Sequence, residues 1–108
     1  MLKVYTSNIS YSGKDRLDTT VKTGDMTFAP TWDMVWGHKG GTLSDDEYKK
    51  KYIKMMKESL KTNKQQWDDL FSKETVTLVC YCKKGKFCHR LILAKILVML
   101  GAEYKGEI

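Results

Sequence analysis

The segment VTLVCY (Val76–Tyr81), CKKGKF (Cys82–Phe87) and CHRLILAKILVML (Cys88–Leu100) decides the fold of this chain. Val76 to Tyr81 is apolar at nearly every position and rich in β-formers. A strand that is half-exposed alternates; one that does not belongs in the middle of a parallel sheet, covered on both faces. Cys88 or His89 then opens a helix that runs through Leu100, with Gly101 as its stop. From Leu91 to Leu100 only Lys95 is polar, so this helix is expected to be largely buried.

Upstream, Ser44-Asp45-Asp46-Glu47 reads as a helix start. Ser44 caps, Glu47 closes a capping box three residues on, and the acids complement the helix dipole. Tyr48, Tyr52, Met56 and Leu60 recur every four residues beside Ile53, giving one apolar stripe on a cationic helix. Trp67, Leu70 and Phe71 continue it past Thr62-Asn63, either as one long helix or as two with a kink there. Such a stripe belongs to a core rather than to a ligand box. Leu2 to Thr6 reads as a first strand, broken by Ser7-Asn8. Residues 9–43 are read as a long irregular loop holding Trp32, Trp36, His38 and the single Pro30. Segments of this kind often carry function. The order strand, loop, helix, strand, helix points to one small α/β domain over residues 1–108, with adjacent strands in a parallel sheet.

Composition agrees with a packed domain. The chain has 108 residues, 42% of them hydrophobic and 30% charged. No apolar run is long enough to span a bilayer, and no charged start leads into an apolar leader. Three cysteines without an export signal fit reduced thiols in the cytoplasm better than a disulfide framework. A chain of this size buries a limited fraction of its surface, which leaves room for a homodimer. Net charge is +6, but residues 1–47 carry five Lys/Arg against seven Asp/Glu and residues 48–108 carry fourteen against six. A basic half attracts anions. Lys49, Lys50, Lys51, Lys54, Lys57 and Lys61 fit a solvated helix face, without interleaved aromatics for base stacking. Arg90 is the single arginine of the basic half, which argues against a dedicated nucleic-acid binder.

The chemistry concentrates at residues 80–90. In open α/β sheets the ligand crevice lies beyond the carboxyl ends of the strands, and a helix start there offers free N–H groups and a favourable dipole to an anion. Ser7 and Asn8 share that rim if the two strands are adjacent and parallel. Three readings compete. In the first, Lys83, Lys86, the helix start and Arg90 hold the phosphate of a small molecule, with Arg90 as principal anchor; Trp32, Trp36 or Tyr81 stacks on its planar part. In the second, Cys88 is a nucleophile, its thiolate favoured by the helix N-terminus and neighbouring cations, with His89 or His38 as base. It ranks lower, because adjacent Cys and His seldom face each other. In the third, Cys80, Cys82, Cys88 and His89 bind zinc; no metal is expected, since structural sites draw ligands from two knuckles and Cys88 and His89 would diverge. Against all three stands burial of cysteine as a small hydrophobe, preferred for Cys80, even for Cys82 and weaker for Cys88. An ordinary surface salt bridge is the plain alternative for Arg90.

The string LVCYCKKGKFCHRLILAKIL (78–97) resembles the C-terminal motif of the domain-of-unknown-function family four-eight-eight: a strand ending in Cys, a short loop, Cys-His-Arg and an apolar helix. Tyr5-Thr6-Ser7-Asn8, Asp15-Arg16-Leu17-Asp18, Phe28-Ala29-Pro30-x-Trp32, Tyr48-x-x-x-Tyr52 and Gly106-Glu107 extend the likeness over nearly the whole chain, to the short members found in phage and prophage genomes. The resemblance implies a Rossmann-like α/β domain, a short mainly parallel sheet flanked by helices, with no agreed activity. It implies one pocket lined by Ser7, Asn8, Cys80, Cys88, His89 and Arg90. The second strand ending in Asp-x-Arg of longer members is not found here, so the Arg16–Lys39 segment or a partner subunit is expected to complete the pocket.

The expectation is therefore a small cytoplasmic protein, in the host cytoplasm if phage-encoded. It binds an anionic, nucleotide-derived or otherwise phosphorylated small molecule through Ser7, Asn8, Arg16, Trp32, Cys82, Lys83, Lys86, Phe87, Cys88, His89 and Arg90, without cofactor. If the source is a phage, sequestration of a host signal follows. The alternatives are a Cys88/His89 enzyme acting on a nucleotide or glycosidic substrate, and an interaction module using the cationic helix 45–62.

Overall fold

A computed structural model of the chain describes residues 1–81 and 87–108. Its frame is a four-stranded, all-parallel sheet in the order β2-β3-β1-β4. The strands are β1 (Lys3–Asn8), β2 (Arg16–Asp18), β3 (Thr75–Cys80) and β4 (Glu103–Glu107). Among the described residues four helices accompany them: α1 (Trp32–Lys39), α2 (Asp45–Thr62), α3 (Lys64–Phe71) and α4 (His89–Met99). This is a small α/β domain, as the order of elements predicts.

β3 is a central strand, buried at every residue from Val76 to Cys80. It runs in register with β1 from Lys3↔Thr75 to Asn8↔Cys80. β1 thus continues through Ser7-Asn8, which the sequence reading takes as a break: backbone pairing with β3 outweighs their weak strand propensity. α4 packs against β1, β3, β4 and α2, tying sheet to helices. Its Ile92, Leu93, Ala94 and Leu97 face the core, whereas Val98, Met99 and Leu100 are exposed. The expectation of a largely buried helix therefore holds for one stripe and fails at the C-terminal end. Gly101, just past the helix, has φ +114°, a conformation that favours glycine at this position.

The segment 9–43 is not one irregular loop. It contains β2 and α1, both too short to show a period in sequence. β2 is a second strand, pairing Arg16↔Thr77 to Asp18↔Val79, but it does not end in Asp-x-Arg: Thr19 and Thr20 follow Asp18. Arg16 fixes the preceding turn: Nε donates to the Tyr11 carbonyl at 2.9 Å and Nη2 to the Ile9 carbonyl at 3.1 Å.

α2 carries the expected capping box at Ser44 and Glu47. Asn63 separates α2 from α3, so the kinked alternative holds. Tyr48, Tyr52 and Met56 are buried, but the fourth buried residue is Ser59 and Leu60 is only half-buried. A helix turns once per 3.6 residues, so a strict four-residue repeat drifts off the core face. Ser59 uses its place: Oγ donates to the Thr27 carbonyl at 2.7 Å and accepts from Trp67 Nε1 at 3.0 Å. Tyr52 donates to the Phe28 carbonyl at 2.6 Å, and the Phe28 and Trp67 rings meet edge to face. These bonds hold the 25–30 segment on α2 and α3. The cationic side chains of α2 at 49, 50, 51, 54, 57 and 61 are all exposed.

Candidate functional site

The site lies where β3 ends and α4 begins. Cys80 closes β3 and Cys88 stands at the N-cap of α4, with extended backbone dihedrals. His89 and Arg90 follow in the first turn. All four side chains are buried.

His89 is held in one tautomer. Nε2 lies 2.7 Å from the Thr19 carbonyl oxygen, which can only accept, so Nε2 carries the hydrogen. Thr19 Oγ1, itself donating to the Val79 carbonyl, sits 3.0 Å from the same nitrogen. Burial pulls the imidazole below the ordinary histidine range, and the Cys80 and Thr19 contacts offset this only in part. The ring is therefore neutral with its lone pair on Nδ1, which faces Cys88 Sγ at 3.8 Å. The expectation that Cys88 and His89 diverge is thus overturned. The N-cap residue is extended while the next is helical, and this change of backbone conformation swings two adjacent side chains together. Cys80 joins them: its Sγ, Cys88 Sγ and a His89 ring nitrogen all lie within 4.8 Å of one another.

Arg90 departs from the sequence reading. It is 0% exposed, not a surface residue. Nε and Nη2 form a bidentate pair with Glu107 of β4 at 3.1 and 2.6 Å, and Nη1 donates to Cys80 Sγ at 2.8 Å. Burial alone would lower its pKa, but the bonds to Glu107 and Cys80 outweigh it and raise the pKa. The guanidinium is engaged by Glu107 and Cys80 and is not among the residues lining the pocket beside Cys80 and Cys88. Glu107, 17 residues away in sequence, was invisible as its partner. The Arg90 hydrogen bond holds the Glu107 carboxyl below the usual carboxylate range, against a smaller effect of burial.

In front of Cys80, Cys88 and His89 opens a pocket of about 440 Å³. Trp32, Trp36 and Val35 of α1, Tyr48 of α2, and Tyr81 and Phe87 form apolar walls; Lys22, Lys39 and His38 add polar groups. Trp32 and Trp36 stack on each other, with centroids 5.9 Å apart and planes 19° apart, and remain 46% and 61% exposed. His38 packs on Tyr48 and Phe87 and bonds Asp45 through Nε2.

Of the sequence-predicted site residues, Trp32, Trp36, His38, Cys80, Tyr81, Phe87, Cys88 and His89 line this pocket. Ser7 and Asn8 sit at the expected rim, in register with Val79 and Cys80. Their polar atoms serve the fold: Ser7 Oγ donates to the Ile108 carbonyl, and Asn8 Oδ1 accepts from the Ser10 amide. Arg16 is engaged at its own turn and is not among the lining residues. Cys82, Lys83 and Lys86 lie outside the described residues. Tyr48 and Thr19 were missed, Tyr48 because its helical spacing reads as core and Thr19 because its role is set by a residue 70 positions away.

A family model described as the active DUF488-N3 subclade matches residues 3–100. The chain belongs to the DUF488 family. No curated protein and no solved structure matches it. The DUF488 match spans β1 through α4, so it contains Cys80 and the whole Cys88-His89-Arg90 turn, and stops before Glu107. No helix among the described residues is long and apolar enough to cross a membrane.

Proposed function

We propose that this DUF488 protein binds a planar, anionic small molecule of the nucleotide-derived class in the pocket between α1 and the start of α4. The observation that carries the reading is the Trp32–Trp36 stack, half-exposed at a pocket that also bears Lys22 and Lys39. Exposed aromatic faces bind planar rings by stacking, at about 1–3 kcal/mol per base. Lysines and the N-terminal end of α4 favour negative charge beside it. A volume near 440 Å³ suits a ligand of this size. The anion is assigned to Lys22, Lys39 and the helix start, with Lys83 and Lys86 as expected from sequence, and no longer to Arg90.

The test is incubation of the protein with a nucleotide and nucleotide-sugar extract, followed by mass spectrometry of bound and free fractions. A compound retained intact by the wild type and lost by Trp36→Ala establishes binding without turnover, the behaviour sequestration of a signal requires. Retention of no compound refutes the reading.

A second reading rests on the 3.8 Å approach of Cys88 Sγ to His89 Nδ1. Thiol, imidazole lone pair and an orienting carbonyl form the arrangement of a Cys-dependent enzyme. A compound consumed by the wild type, but not by Cys88→Ser, favours it.

A further inference from the structure

We infer that Cys80, Cys88 and His89 form a three-ligand site for a soft divalent cation, zinc by its donor set, with the fourth position open to the pocket. The inference shares the pocket with the binding proposal but stands without it, because a metal binds whether or not an organic ligand follows. Two thiol sulfurs and an imidazole nitrogen already lie within 4.8 Å of one another in a buried position. Tetrahedral zinc with Zn–S near 2.3 Å and Zn–N near 2.0 Å sets neighbouring ligand atoms about 3.5–3.8 Å apart. Cys88 Sγ and His89 Nδ1 stand at that spacing already, 3.8 Å. Cys80 Sγ completes the set from within 4.8 Å of Cys88 Sγ and of a His89 ring nitrogen.

The surroundings are those a metal site requires. A metal-ligating histidine presents one nitrogen to the ion and donates the other N–H to a carbonyl or carboxylate. His89 Nε2–H does so to Thr19, leaving the Nδ1 lone pair toward Cys88 Sγ. A ligating thiolate is commonly supported by an N–H donor, and Arg90 Nη1 supplies one to Cys80 Sγ. Charge also balances. Binding displaces the two thiol protons to solvent, so Zn²⁺ and two thiolates sum to zero beside the already neutral Arg90–Glu107 pair. No uncompensated charge is left in the interior. Three protein ligands from one strand end and one helix start, facing a cavity, match sites that keep a position for water or a ligand atom. The cation then acts as a Lewis acid toward whatever occupies that position.

The experiment strips the pure protein with chelator, confirms that it stays folded, and titrates it with Co²⁺ and Zn²⁺. Metal stoichiometry, the thiolate-to-Co²⁺ charge-transfer band and the rate of thiol alkylation are followed. One ion per chain, a charge-transfer band and slowed alkylation by zinc are expected. Cys88→Ser and His89→Gln should weaken binding by at least about tenfold. Should these variants unfold, the wild-type band and alkylation protection still decide. No band, no bound ion and alkylation indifferent to zinc would overturn the site; Cys88 would then be open to act as nucleophile. Repeating the extract experiment on zinc-loaded and stripped protein separates the proposals. Failure of the metal site leaves nucleotide retention intact, and failure of the pocket leaves the cobalt band intact.

Discussion

Replacing Glu107 by Gln tests the feature that most changes the meaning of Arg90. The substitution keeps side-chain length and one acceptor oxygen, and removes the charge. Arg90 is fully buried, while the Glu107 side chain is 16% exposed. Breaking a buried ion pair from one side costs about 3–5 kcal/mol, because the remaining charge is stranded. Water can reach the Glu107 end, so the lower limit applies, about 3 kcal/mol. Unfolding entropy near 2.1 cal/mol/K per residue gives about 0.23 kcal/mol/K for this chain, so Tm should fall by about 13 °C. Thermal unfolding followed by circular dichroism at pH 7 reads this directly. The exposed Glu103–Lys105 pair serves as control, and Lys105→Ala should leave Tm unchanged. The pH dependence supplies a second check. The Glu107 pKa is depressed in the fold, so its contribution is full above the ordinary value, about 4.3, and is lost as pH falls through the lower folded value. The gap between wild type and Glu107→Gln should therefore narrow below about pH 4. A variant that melts within 2–3 °C (about 0.5 kcal/mol) of the wild type would show that β4 and α4 are not joined through this pair.

Three further outcomes follow from the same geometry. Ser59→Ala removes the acceptor of Trp67 Nε1 and the donor to the Thr27 carbonyl, both buried, and should cost about 1–3 kcal/mol in urea unfolding with an unchanged m-value. His89 has a depressed pKa, so its contribution to stability is full above about pH 6.5 and is lost as pH falls toward the lower folded value; urea midpoints at pH 7.5 and 5.5 should differ less in His89→Gln than in the wild type. Raising salt from 50 to 200 mM should weaken nucleotide retention modestly, since one or two phosphates are involved. A loss of 10³-fold or more would instead indicate a polyanion on the exposed lysines of α2.

Elements with a periodic or capped sequence were legible. The nearly all-apolar run at 76–80 gave a central strand and the Ser44–Glu47 box gave the start of α2, while Thr62-Asn63 left a kink as one of two alternatives, the one the structure takes. β2 and α1 were not, because three residues cannot alternate and α1 lacks a sided apolar pattern: Trp32, Val35 and Trp36 face the pocket while Met34 alone is buried. β4 reads as Glu-Tyr-Lys-Gly-Glu, with poor strand propensity, and is held by pairing with β1. Its register shifts opposite Val4 and Tyr5, next to Gly106 at φ +117°, where a bulge accommodates the glycine.

The site shows the same division between local and distant information. Cys88, His89 and Arg90 were legible as a chemical cluster because they are contiguous and open a helix. Their roles were not, because each is set by a group remote in sequence: Thr19 fixes the His89 tautomer, Glu107 neutralises Arg90, and Cys80 receives the Arg90 N–H. A lone arginine beside a lysine-rich loop looks like an anion anchor until its carboxylate is found on another strand. With Arg90 paired to Glu107, Cys80, Cys88 and His89 bring two thiols and one imidazole to this end of the pocket. These are soft donors, suited to a metal or to covalent chemistry rather than to gripping a phosphate. Recognition of the anion then passes to Lys22 and Lys39 at the pocket wall, and the reactive floor and the binding wall become separate parts of one pocket. Variants at Trp36 or Lys39 should therefore change affinity without changing thiol reactivity, and variants at Cys88 should do the reverse. A Trp36→Ala protein with altered alkylation of Cys88 would break that separation.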